Sequence, residues 1–234
     1  MVDVHRYIPL SLAVLNGGQF VPKKDYALDR MRPGELQLCP GTQVLLDETK
    51  LEPGQLSSQG LNNVGALRTL LKYQHVDYDF VYHTVDYPAD VPVLILSEGK
   101  SFLDCDIVLA MISDSQEPPP SSADSDSDCL KRFRSYLTLA RLGSYDIDAG
   151  MQKVVQTDFV QMRQAERQFT GENLHNLLVL ARLISLSLGE STLTQEAWTR
   201  AKDLEVRRAA RNKEEEARLE QRRDEAISWS RHVP

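Results

Sequence analysis

Residues 41–49, GTQVLLDET, read as a short buried strand ending in two adjacent carboxylates, Asp47 and Glu48. In a nucleotide-hydrolysing fold such a pair holds magnesium with the first acid and orients water with the second. That chemistry also needs a phosphate cradle, with glycines, a lysine and a Ser/Thr at the GxxxxGK[ST] spacing. Asn16-Gly17-Gly18-Gln19-Phe20 has two glycines and no Lys-Ser/Thr. An acid pair without a phosphate site points to an ATPase-like body that does not work as an ATPase. The plainer reading is a polar strand end.

Outward from that strand, Tyr7–Leu15 (YIPLSLAVL) is a strand candidate that turns at Asn16-Gly17-Gly18. Downstream, Pro53-Gly54 and Gly60 bracket a loop, and Asn62 or Asn63 can cap a helix over Val64–Tyr73. Val64, Leu67, Leu70 and Leu71 fall on one face of that helix. His75–Tyr87 alternates like a hairpin. Val76, Tyr78, Phe80 and Tyr82 point one way; His75, Asp77, Asp79, Val81 and His83 point the other. Val91–Leu96 and Asp106–Met111 read as two further apolar strands. Residues 1–112 are therefore an α/β section. Residues 113–128, SDSQEPPPSSADSDSD, have the composition of a disordered linker.

Residues 129–204 read as four helical segments. Leu130, Phe133, Leu137 and Ala140 line the first; Met151, Val154, Val155, Phe159 and Met162 line the second. Thr170 can cap the third, whose core face is Leu174, Leu177, Leu178, Ala181 and Ile184. Thr194 can cap the fourth, with Ala197, Trp198, Ala201 and Leu204 inward. Residues 205–234 form a tail that is almost wholly charged up to Glu225, a solvated helix held by i,i+4 pairs or a frayed one.

The chain has 234 residues and a net charge of -7, so an overall electrostatic grip on DNA is not expected. Cys39, Cys105 and Cys129 form no CxxC pair and read as reduced thiols, neither a zinc site nor a disulfide frame. No apolar run approaches the roughly 20 residues of a membrane span, and no apolar signal core opens the chain. Cytosol or nucleus is expected.

Several side-chain groups have a chemical and a bland reading. His75, Asp77, Asp79 and His83 share a hairpin face, but alternate strand residues lie about 6.5 Å apart, wide for one ion. A solvated face is expected, with no metal. Lys131, Arg132 and Arg134, and Arg207, Arg208 and Arg211, are basic groups on helices. Acidic stretches flank both, whereas specific DNA contact usually needs an uninterrupted basic face. Ser121 and Ser125 each precede an acid by three residues, Asp124 and Asp128, which suits an acid-directed kinase.

The runs VLLDET, NNVGALRTLLKYQHVDYDFVYH and VPVLILSEGKSFL resemble the C-terminal half of the mini-chromosome maintenance (MCM) complex-binding family. FRSYLTLARL, DFVQMRQ and NLHNLLVLARLISLSLGESTLTQEAW extend the resemblance to about residues 6–208. It implies a nuclear protein that binds subunits of the MCM replicative helicase. It also implies roles in assembling, storing and unloading that helicase and in sister-chromatid cohesion. The family looks like a degenerate relative of the helicase subunits themselves, which carry an AAA+ ATPase. On that likeness Asp47-Glu48 match the strand-end acids, Asn63–Tyr73 the following helix, and His75–Tyr87 a DNA-touching hairpin, here without its lysine. The strand that ends in a sensor asparagine leads here into Glu98. Asp104 takes the arginine-finger place and Glu172 the place of the lid's sensor arginine. Carboxylates at these positions would repel a triphosphate.

The expected fold is α/β, a partial degenerate AAA+ sheet followed by an all-helical lid. The expected function is a non-catalytic partner of MCM helicase subunits, without cofactor, metal, membrane or small-molecule substrate. Two alternatives stand beside it: a weak ATPase completed in trans by a partner's phosphate loop, and a chromatin- or DNA-binding module.

Overall fold

The structure, a computed structural model, describes residues 5–111, 127–167 and 169–230. It is mixed α/β with a helical C-terminal region, and divides into two compact units between Cys105 and Asp106.

The first unit runs β1 (His5–Pro9), α1 (Leu12–Gly17), β2 (Lys23–Asp25), β3 (Arg30–Arg32), β4 (Gln43–Asp47), α2 (Ser58–Tyr73), β5 (His75–Asp79), β6 (Thr84–Pro88) and β7 (Val93–Leu96). β1, β4 and β7 form a parallel sheet in that order. The order of the second sheet is β3-β2-β5-β6, with two antiparallel pairs joined by a short parallel contact between β2 and β5. Ile8, Leu46 and Ile95 lie side by side on the parallel sheet, as do Val44 and Val93. They face one core with Leu15 of α1 and Val64, Leu67 and Leu70 of α2.

The expected strand Tyr7–Leu15 is shorter than its pattern. Pro9 ends it, and the Ser11 hydroxyl accepts from Val14 N at 3.2 Å to start α1. α2 begins earlier than expected because Ser57 caps it, accepting from Gly60 N at 3.1 Å. Asn63 is no cap. It sits inside the helix, fully buried, and its Nδ2 donates to the Leu15 and Gly18 carbonyls, each at 2.8 Å. Those two acceptors lie at the C-terminal end of α1, where helix carbonyls lack intrahelical donors. The hairpin forms as β5 and β6, but its alternation stops at Asp79.

The second unit holds α3 (Ser127–Leu142), α4 (Ala149–Ala165), α5 (Gly171–Ser187) and α6 (Gln195–Ser230). Met151 and Val155, Leu177, Ala181 and Ile184, and Ala197, Trp198 and Ala201 make its core. Thr170 and Asn173 form a reciprocal cap on α5, and Thr194 caps α6, accepting from Ala197 N at 3.2 Å. The charged run continues as helix, with Arg218 reaching Glu214 at 2.7 Å one turn back. Trp198, wholly buried, donates Nε1–H to Asp158 at 2.8 Å, and Lys202 adds a second bond to the same carboxylate. Burial opposes the charge on Asp158, but the bonds from Lys202 and Trp198 outweigh it and hold its carboxyl below the usual range.

Two expectations fail here. The apolar face of α3 does not enter the core: Leu130, Phe133 and Leu137 are 40%, 59% and 48% exposed. Asp106–Met111 is not a strand of the first unit. It lies in the second, held by side chains rather than by a ladder. Asn212 accepts from Ala110 N at 2.9 Å and donates to Val108 O at 2.9 Å, Arg208 donates to Val108 O at 2.8 Å, and Asn176 donates to Asp106 O at 3.0 Å. Side-chain amides satisfy backbone groups that a strand pattern assigns to neighbouring strands.

Candidate functional site: the carboxyl end of the parallel sheet

β4 places Asp47 and Glu48 where ligands approach open parallel sheets, at the carboxyl ends of the strands. Asp47 Oδ2 accepts from the Tyr7 hydroxyl at 2.5 Å. Its Oδ1 accepts from Thr49 Oγ1 at 2.6 Å and from Thr49 N at 3.0 Å. Hydrogen bonds from Thr49, then Tyr7, hold this carboxyl below the usual range, and the hydrogen bond to Asp47, with burial and then the Asp47 charge, raises the Tyr7 hydroxyl in turn. Glu48 Oε1 accepts from the Ser101 hydroxyl at 2.7 Å, while Ser101 Oγ accepts from Leu103 N at 3.1 Å. Both carboxylates are buried. As arranged they are a brace: Asp47 ties β1 to the turn after β4, and Glu48 ties that turn to the segment after β7.

β7 ends at Leu96 beside Asp47, so Glu98 comes to the same end of the sheet, in an exposed bend. Asp104 follows the turn at Ser101–Leu103 and is exposed. Glu172 belongs to the other unit, exposed in the first turn of α5. The structure thus gathers Asp47, Glu48 and Glu98 at one edge. Among the described residues, no three His, Cys, Asp or Glu side chains are grouped to hold a metal ion. Ser121 and Ser125 lie outside the described residues.

Of the hairpin's four candidate ligands, Asp77 lies half-buried in β5 opposite Asp86, and the other three go separate ways. His75 Nδ1 is 3.6 Å from Asp86, Asp79 pairs with Lys23 at 3.1 Å, and His83 stacks on Phe80 with ring centres 5.1 Å apart. Sequence reading missed what the hairpin tip does. Tyr82 N donates to Phe80 O at 2.8 Å, closing a three-residue γ-turn around Val81 at φ +70°. Tyr82 stands 86% exposed beside Tyr26, whose hydroxyl donates to Phe80 O at 3.0 Å. No Gly or Asn marks this turn; its one local signal is Asp79, whose Oδ1 accepts from Val81 N at 2.7 Å in an Asx-turn.

The two basic groups also divide. Lys131, Arg132 and Arg134 lie on exposed parts of α3, Arg132 paired with Asp128 at 3.1 Å. Arg207 is exposed, but Arg208 is bound to Glu205 as well as Val108 O, and Arg211 is half-buried. The second group is thus partly consumed in holding residues 106–111. Asn212, the centre of that clamp, gave no sign of it within a charged run. No helix among the described residues is long and apolar enough to cross a membrane.

The class the fold defines is a mixed α/β unit with a braced acid pair at its sheet end, followed by a helical unit. The family described as "Mini-chromosome maintenance replisome factor" matches residues 1–212, and the chain belongs to it. It is 41% identical over 221 residues to the mini-chromosome maintenance complex-binding protein of Salmo salar, covering 90% of this chain and 35% of that protein. The Homo sapiens protein of that name is 43% identical over 211 residues, 87% of this chain and 33% of its own length. The Drosophila melanogaster one is 38% identical over 218 residues, 90% and 36%. The chain spans about a third of the length of these relatives.

Proposed function

We propose that this chain binds subunits of the MCM helicase as a non-catalytic partner, regulating the helicase's assembly, stability or unloading from chromatin in the nucleus and supporting sister-chromatid cohesion. The relatives' name supplies the partner. The observation that carries the non-catalytic part is the brace. Asp47 accepts three hydrogen bonds from Tyr7 and Thr49, and Glu48 accepts one from Ser101, so both carboxylates are engaged in holding the fold together.

The order of parts supports a degenerate AAA+ likeness. A strand ending in Asp47-Glu48 is followed by α2, by the β5–β6 hairpin, and by β7 returning parallel beside β4. On this reading the chain acts by mimicry, presenting a subunit-like surface to a helicase subunit and competing with ring closure or holding a free subunit. On this reading Asp104 and Glu172 take the places of arginines that would neutralise ATP, and Glu98 that of an asparagine that would orient water, so bound triphosphate is disfavoured.

The test is capture of each separate helicase subunit by this chain without nucleotide, repeated with Asp47→Ala. Mimicry expects capture of a subunit, unchanged by the substitution beyond any loss of fold. Capture that strictly requires ATP, or ATP turnover that Asp47→Ala abolishes, defeats it.

A further inference from the structure

Within the first unit, among the described residues, the parallel sheet is covered on one face only. Tyr7, Leu45 and Leu94 form a row across β1, β4 and β7, and Leu96 lies beside Asp47 in the next row. These side chains point away from the core shared with α1 and α2. Tyr7 is 44%, Leu94 53% and Leu96 43% exposed. Parallel sheets occur almost only with both faces buried, and their strands are apolar on both sides for that reason. β7, VLIL, has that composition, yet among the described residues it pairs only with β4 and ends the sheet. An apolar edge strand with free backbone groups is a template for another strand.

Crossover handedness says what fits. The steps β1 to β4 and β4 to β7 run in one direction across the sheet, and right-handed crossovers place their helices, α1 and α2, on the same face. A helix reaches the other face only from a crossover running the opposite way. The simplest is a strand beside β7 whose following helix crosses the open face and feeds into β1. Some two-thirds of each relative's length lies outside the stretch matched here, enough to supply it.

We infer that the face Tyr7, Leu45, Leu94 and Leu96, with the free edge of β7, is a docking surface for a strand–helix segment. The segment is an apolar strand parallel to β7 and an amphipathic helix, supplied by the family's polypeptide outside the matched stretch. The open face asks for a structural complement, a requirement separate from helicase capture.

The test compares this chain alone with a chimera in which it replaces the matched stretch of the human relative. In the chimera, backbone amides of Val93–Leu96 exchange about 100-fold more slowly than in the chain alone. Leu94→Arg lowers the chimera's melting midpoint by several degrees, or prevents its folding, and leaves the chain alone unchanged. Leu94→Ala gives the same pattern with a smaller drop. Equal exchange in both proteins together with a neutral Leu94→Arg in both overturns the inference. So does a dimer of the isolated chain that Leu94→Arg dissolves, which would make the occupant a second copy. Helicase capture by the isolated chain that Leu94→Arg abolishes would give the face to a helicase subunit and overturn it as well. Failure of capture with slowed exchange in the chimera defeats the proposed function and leaves the sheet inference standing.

Discussion

Helices α3 and α4 carry the same kind of pattern and end in opposite circumstances. Both repeat apolar residues at helical spacing, yet Met151 and Val155 of α4 are buried while Leu130, Phe133 and Leu137 of α3 stay in contact with solvent. The parallel sheet repeats the contrast between its faces, Leu46 in the core and Leu94 outside it. Periodicity reports that a face is apolar. It does not report whether the same chain covers it.

The largest expected effect tests the buried side of this contrast. Trp198→Ala empties the centre of the helical core and strips Asp158 of one of its two side-chain donors. It should cost about 3–5 kcal/mol, read as a lowered midpoint in thermal or urea unfolding. A loss under about 1 kcal/mol would mean that α6 is not seated as described.

The comparison itself is sharpened by placing one charge on each helix. Val155→Asp puts a carboxylate into the helical core and should destabilise by about 3 kcal/mol. Leu137→Asp, on the exposed face of α3, should move stability by no more than about 0.5 kcal/mol. Equal effects in the two helices would erase the distinction.

What was legible in the sequence follows the same division. Gln43–Asp47, the β5–β6 hairpin, β7 and helices α4 to α6 with the Thr170 and Thr194 caps could be read because local pattern and final environment agree there. Tyr7–Leu15 misread because Ser11 caps a helix inside an apolar run. Asp106–Met111 misread because an apolar extended segment looks like a strand whether its amides meet a ladder or the side chain of Asn212. The acids Asp47 and Glu48 were found by their place at a strand end. Their bonds to Tyr7 and Ser101 depend on contacts across 40 and 53 positions that no local pattern carries.

Asn63→Ala tests a polar group of that hidden kind. The helix backbone would accept alanine readily, but the Leu15 and Gly18 carbonyls would each lose a buried donor. The net cost should be about 1–3 kcal/mol. Gln59→Ala on the same helix removes only a weak bond to Asn63 at 3.2 Å and should cost less. If Asn63→Ala were neutral, α1 would not depend on α2 for its C-terminal end.

The smallest effect has the opposite sign. Val81 holds φ +70° at the tip of the hairpin, a conformation that crowds a β-branched side chain. Val81 is itself more than half exposed, so its side chain gains little from packing. Glycine adopts the same φ without the clash, though it loses more backbone entropy on folding. The strain, about 1–3 kcal/mol for a residue held in a sparsely populated region, exceeds that entropy term of about 1 kcal/mol. Val81→Gly should therefore raise stability by about 1 kcal/mol or less, seen as a higher unfolding midpoint. Strain of this kind gathers where a surface does something other than fold. A stabilised Val81→Gly chain that captures its helicase subunit more weakly would place the Phe80–Tyr82 tip in that contact; undiminished capture would leave the turn a local feature of the hairpin.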